Sequence, residues 1–184
     1  MLGEGCVLIM FIPLVEVPSK IMGWGEERHY FLFHERNPNL PVEVVITRLP
    51  PHFEGEDNWH KHAFVEEFSV PLTGEIIIKE KKEGQVVRRR HLSQALLRED
   101  EWVLGISCSN RKEAVLHIDS ASGQRREAKI VFDPQFSEGK DWHTVVNPTD
   151  DMVTMVTMKR VSKALFEKDP LVFKIDRVPK TGDN

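Results

Sequence analysis

Cysteine is nearly absent from this chain of 184 residues. Only Cys6 and Cys108 are present, too scattered for a disulfide framework or a CxxC metal clip. A reducing, cytoplasmic setting is the default expectation. Positive charge is not in excess either. Lys and Arg number 25 against 29 Asp and Glu, a net of −4 with a pI of about 6.1. That excludes a global basic field, so neither nucleic acid nor an anionic membrane is expected as a partner. No apolar run is long enough to span a bilayer. The nearest, GCVLIMFIPLV over 5–15, is interrupted by Pro13 and preceded by Glu4 rather than a basic residue. No small-residue cleavage site follows it, so it reads as a buried strand and not as a secretion signal. Also missing are G-x-S-x-G, a P-loop, G-x-G-x-x-G and any helix-turn-helix segment. The usual signatures of acyl hydrolysis, nucleotide binding and DNA-binding regulation are therefore absent. Cys108 has no adjacent histidine to activate it and reads as a buried core thiol.

Long helical periodicity is also scarce, and strand patterning dominates what remains. Runs rich in β-branched and aromatic residues occur at 29–34, 42–49, 66–72, 75–81 and 86–92. Further runs follow at 101–109, 113–120, 126–133, 142–148 and 151–161, separated by turns such as Asn37 to Pro41, Lys81 to Gln85 and Ala121 to Gln124. Two short helices are expected. One spans Ser93–Asp100, capped by Ser93; the other spans Arg160–Asp169 and is stopped by Pro170. Around ten short strands without alternating helices predict an all-β sandwich or barrel. No repeat or linker divides the chain, so a single domain over 1–184 is expected.

Chemistry concentrates in NWHKHAFVEEFSVPLTGE, 58–75. His60 and His62 are two residues apart, and in a strand they share one face. Two imidazoles so placed can share a metal ion, although surface histidines pair at this spacing too. Strict alternation would add Phe64, Glu66 and Phe68 to that face and turn Glu67 away.

The wider spacing resembles the first motif of the cupin family. Four residues separate His62 from Glu67, six separate Glu67 from Gly74, and Gly55 stands near the place of the leading glycine. Downstream, His143-Thr144-Val145-Val146-Asn147 resembles the H-x-x-x-N ending of the second motif, with Gly139 and Pro134 displaced from their usual places. The resemblance implies a cupin-type jelly-roll β-barrel with motifs at about 55–74 and 134–147. It also implies an inserted hairpin at about 110–132 that extends the sheet or covers the barrel mouth. By position, His60, His62, Glu67 and His143 would hold one divalent transition metal: Fe, Mn, Ni, Zn or Cu. Glu67 would then require a turn or bulge between Ala63 and Glu66 to reset the alternation, leaving Glu66 at the surface.

For function, the resemblance implies a metal-dependent enzyme, most often an oxygenase, acting on a small organic substrate. The alternatives are a non-oxidative isomerase, decarboxylase or lyase, and a non-catalytic binder of a sugar or organic acid. A homodimer through the apolar 5–15 segment is expected from family habit. His52, Arg88, Arg90 and Asn147 are candidate substrate contacts. His29, His34, His91 and His117 read as surface or packed histidines. Glu56, Asp57 and Asp141 read as turn residues, and Trp59 and Trp142 as facing away from the metal.

Overall fold

The computed structural model describes residues 9–23, 25–92, 96–132 and 141–175. Twelve strands dominate it. They are β1 (Met10–Pro13), β2 (Ser19–Ile21), β3 (Glu27–Leu32), β4 (Val42–Leu49), β5 (Glu66–Pro71) and β6 (Glu75–Lys82), followed by β7 (Gln85–Leu92), β8 (Glu101–Cys108), β9 (Glu113–Ser120), β10 (Arg126–Val131), β11 (Trp142–Val146) and β12 (Val153–Arg160). Helices are short: α1 (Phe33–Arg36), α2 (Lys163–Lys168) and α3 (Val172–Ile175).

The strands form three antiparallel sheets, ordered β2-β3-β4-β12-β5, β11-β6-β7 and β1-β8-β9-β10. Alternation along β4 explains how they stack. Val42, Val44 and Ile46 enter a core shared with Ile106, Leu116 and Ile118 of the β1-β8-β9-β10 sheet. Val45 and Thr47 point the other way, into a cavity shared with Ile78 and Val145 of the β11-β6-β7 sheet. Leu49 continues that inner face in a second core with Phe53, Ile76, Val145 and Val153. The five-stranded sheet is thus covered on both faces, which is why β4 carries five β-branched residues in eight. Strands β9 and β10 pair as a hairpin, and that sheet backs the outer face of the five-stranded one.

The C-terminal helices close one end. Ser162 caps α2, its hydroxyl accepting from the Leu165 amide at 3.2 Å. Phe166, Val172 and Phe173 then pack with Val65 and Val161.

Three local expectations change. Val42–Leu49 is as expected, but the strand before it ends at Leu32, and Phe33–Arg36 turns as a helix that buries Phe33 and His34. The helix expected over Ser93–Asp100 is a turn in its described part, 96–100. There the Leu97 amide donates to Leu72 O at 3.0 Å, a tertiary partner, and the Arg98 amide to the nearby Glu101 side chain at 2.8 Å, so neither enters a helical ladder. The apolar 5–15 run is not a uniformly buried strand. Its residues 5–8 lie outside the described ones, and Met10–Pro13 pairs with β8 of the same chain, burying Ile12 while leaving Phe11 and Val15 exposed. Among the described residues no helix is long and apolar enough to cross a membrane.

Candidate metal centre

The backbone first brings two distant histidines together. The His60 amide donates to His143 O at 3.0 Å, and the His143 amide donates back to His60 O at 2.8 Å. This isolated antiparallel bridge puts their ring centroids 4.3 Å apart. His143 is held from behind by β11, which pairs with β6.

Gly55 makes the approach possible. Its φ is +69°, and a Cβ there would lie 2.2 Å from Val145 O. The same close contact lets the Thr144 hydroxyl donate to Gly55 O at 2.6 Å. Only glycine tolerates both the conformation and the crowding.

After His62 the chain bends at Ala63 and Phe64, and regular strand resumes at Glu66. The bend resets the alternation. Glu67 turns inward opposite Lys159, and Glu66 turns outward opposite Arg160, where the Arg160 guanidinium donates to its carboxylate at 2.6 Å. The result is a buried group of His60, His62, Glu67 and His143 whose candidate ligand atoms all lie within 4.8 Å of one another.

Several features of this group fit a divalent ion. His60 Nδ1 donates to Asn58 O at 2.7 Å and His143 Nδ1 to Asp141 O at 3.1 Å. Those bonds orient the rings and leave Nε2 as the lone-pair nitrogen, the usual support for a ligating histidine. His62 Nε2 lies 2.7 Å from Glu67 Oε2, yet neither atom is aligned for a hydrogen bond. Two buried lone-pair atoms converging without a bond between them is the arrangement a cation resolves. Imidazole with carboxylate suits Mn, Fe, Co, Ni, Cu or Zn.

The electrostatics agree. Burial, then the neighbouring His143, hold the His60 imidazole well below its ordinary range, so it stays neutral and ligand-ready. Burial would raise the Glu67 carboxyl. The nearby charge of Lys159, then that of His62, outweighs that and holds it well below the usual carboxylate range.

Lys159 is the residue that sequence reasoning missed. It lies on β12 with its Nζ 3.1 Å from Glu67 Oε2 and its side chain 11% exposed. Cross-strand register sets Glu67, Lys159 and Glu43 in one row over β5, β12 and β4. Beside them is a cavity of about 30 Å³, lined by His60, His143 and Glu67 and also by Lys159, Arg28 and Tyr30. It holds only a few water-sized groups. Arg28 is paired with the fully buried Glu26, donating through Nε at 2.8 Å, while the Asn58 amide donates to the same carboxylate at 3.1 Å.

The other candidate contacts are elsewhere. Asn147 is fully buried, but its amide donates to Leu49 O, Pro50 O and Asp151 O and accepts from Thr149, so it clamps a loop and is not at the cavity. Arg88 and Arg90 are exposed on β7, an edge strand, where Arg90 pairs with Glu75. His52 is exposed and pairs with Asp150 at 2.9 Å. Glu56 accepts from Lys79 Nζ at 2.9 Å and anchors the 54–58 turn to β6. Trp59 and Trp142 face outward under Lys81 and Lys61. Gly139 and Pro134 lie outside the described residues.

No family model matches the sequence, and no curated protein matches it. Solved structures do. Oxalate decarboxylase from Bacillus subtilis superposes with a TM-score of 0.50 at 9% identity, covering 86% of this chain and 31% of that one. Oxalate decarboxylase from Lactobacillus farciminis, in its formate complex, gives 0.50 at 12% identity, covering 86% and 34%. AerE from Microcystis aeruginosa gives 0.46 at 13% identity, covering 83% and 48%. The chain therefore spans about a third of the decarboxylase chains it matches. At such identities the likeness is one of fold. The chain shares a cupin-like, mostly β fold with these decarboxylases and carries a buried three-histidine, one-glutamate group that could hold a metal ion.

Proposed function

We propose that the chain is a mononuclear metal-dependent enzyme that turns over a small organic substrate by an oxygenase-type reaction. The observation that carries this is the convergence of His60, His62, Glu67 and His143 on one buried point beside a cavity. A barrel that only bound a ligand would not need that donor set, which is costly to bury without an ion.

A divalent ion held by His60, His62, Glu67 and His143 would supply Lewis-acidic chemistry and would keep a net positive charge beside the one carboxylate. The chain supplies the rest. Asn58 O and Asp141 O fix the orientation of His60 and His143. Lys159 holds one oxygen of Glu67. Ile78, Val145 and Met155, from the β11-β6-β7 and five-stranded sheets, form the apolar part of the cavity wall.

A second reading is decarboxylation without oxygen consumption. The fold likeness to oxalate decarboxylases favours it, one of which is described with Mn(II) centres.

The test is to reconstitute metal-free protein anaerobically with Mn(II) or Fe(II) and to offer a panel of small organic acids. Oxygen uptake supports the first reading, and carbon dioxide release without oxygen uptake supports the second. Metal binding with neither, across the panel, points to a binding module.

A further inference from the structure

The metal reading leaves Lys159 unexplained. A lysine buried on an inward-facing strand position is costly unless its charge is matched. Its partner is Glu67, at 3.1 Å. Glu67 is also the one carboxylate in the candidate ligand group. An ion that takes up the charge of Glu67 leaves the ammonium beside a centre that is already positive. The other cation at the cavity, Arg28, is matched by Glu26. Glu43 stands opposite Lys159 on the adjacent strand β4, in the same inward row. Even with Glu43 counted as charged, a divalent ion with Lys159 and Arg28 outweighs Glu67, Glu26 and Glu43 by one positive charge. Among the described residues the wall adds no further carboxylate, lysine or arginine: Tyr30, Thr47 and Asn58 line it, with Ser69 and Thr157, whose hydroxyls bond to each other at 3.0 Å.

We propose that the cavity takes the carboxylate end of a small organic acid, and that Lys159 is the residue that anchors it beside the metal. The ammonium lines the same cavity as His60, Glu67 and His143, so an anion bound at the metal lies within its reach. At about 30 Å³ the inner space admits a carboxylate-sized group and not a sugar ring. This selects an acid over a neutral polyol. It rests on the metal-enzyme reading for the ion, but Lys159 makes its own prediction.

The experiment compares oxalate with its neutral isostere oxamide, by calorimetric titration of the Mn(II)-loaded protein, with no turnover required. Wild type is expected to bind oxalate at least roughly tenfold more tightly than oxamide, the scale of one charge-assisted hydrogen bond. Lys159→Gln and Lys159→Met should bind oxalate about tenfold more weakly than wild type with little change for oxamide, and Lys159→Arg should retain most of the oxalate affinity. Mn(II) affinity of the variants should change far less than their oxalate affinity. Equal binding of oxalate and oxamide by wild type, or oxalate binding by Lys159→Gln as tight as wild type, overturns the proposal. If Lys159→Met does not fold, the Gln and Arg variants and the wild-type preference carry the test. If wild type takes up no Mn(II), the metal reading fails by itself. Thermal melting of the metal-free protein then decides the anchor. A rise in Tm with oxalate but not oxamide, lost in Lys159→Gln, supports it, and no rise overturns it.

Discussion

Glu66 and Glu67 leave the same strand in opposite directions, each to a cation on β12. Glu67 meets Lys159 inside the barrel at 3.1 Å, and Glu66 meets Arg160 outside it at 2.6 Å. Two adjacent carboxylates thereby acquire different chemistry. The inner one is a ligand candidate held ionised in a buried site, and the outer one is a half-exposed surface ion pair.

Their substitutions should separate cleanly. Glu67→Gln should weaken Mn(II) binding by roughly tenfold or more, because it removes the charged donor. Glu66→Gln should leave Mn(II) affinity unchanged and cost no more than about 1 kcal/mol of stability, the usual worth of an exposed pair. Metal titration and urea unfolding of both variants check this. Equal metal affinities for the two would contradict the assignment.

Lys159→Met should destabilise the metal-free protein by about 3–5 kcal/mol, because it strands the Glu67 charge in the interior. Saturating metal should recover part of that loss, since the ion binds only the folded chain and neutralises the same carboxylate. Thermal melts with and without Mn(II) measure both quantities. A variant as stable as wild type without metal would mean that Lys159 does not compensate Glu67.

The strands were legible because burial on both faces writes a long β-branched run in Val42–Leu49, and burial of one face writes the alternation of Glu113–Ser120. The candidate site was legible because its backbone constraints leave residues behind: Gly55 where His60 and His143 must approach, and a fixed interval from Glu67 to Gly74. Lys159 was not legible. In VTMVTMKR it closes a strand whose two faces are both apolar, so a terminal Lys-Arg pair reads as a solvated strand end. Its inward direction follows only from register, counting from Val153, Met155 and Thr157 along the same face. Arg28 and Glu26 were hidden for a related reason. Charged residues after a glycine-rich turn read as surface, and only the fold places Asn58 against them. The outer β1-β8-β9-β10 sheet could be anticipated as extra strands but not as a layer, because nothing in a strand's own pattern says which of two available faces it covers.

Acid should loosen the outer layer first. Hydrogen bonds from Arg126 push the Glu101 carboxyl from its ordinary 4.5 down to about 2. A carboxyl whose folded value is depressed stabilises the fold above its unfolded value and loses that contribution as pH falls toward the folded one. The contribution of this pair is therefore complete above about pH 4.5 and lost between there and about pH 2. Urea midpoints at pH 5 and pH 3 should fall further for wild type than for Glu101→Gln. A parallel fall in both would show that the pair contributes nothing.

Cys108 should be inert in the native protein. Burial pushes its thiol up to about 11, so almost no thiolate exists at pH 8. In a Cys6→Ser background, Ellman's reagent should react with Cys108 in urea but not in buffer on the same timescale. Rapid reaction in buffer would place the thiol in solvent.

The central claim is that His60, His62, Glu67 and His143 form one metal site. Anaerobic titration of metal-free protein with Mn(II), followed by elemental analysis after gel filtration, tests it most directly. The account predicts one ion per chain in wild type and loss of that ion in both His143→Ala and Glu67→Gln, with the variants still folded. Wild type that retains no metal from Mn, Fe, Ni, Zn or Cu, or variants that retain it as well as wild type, would contradict it.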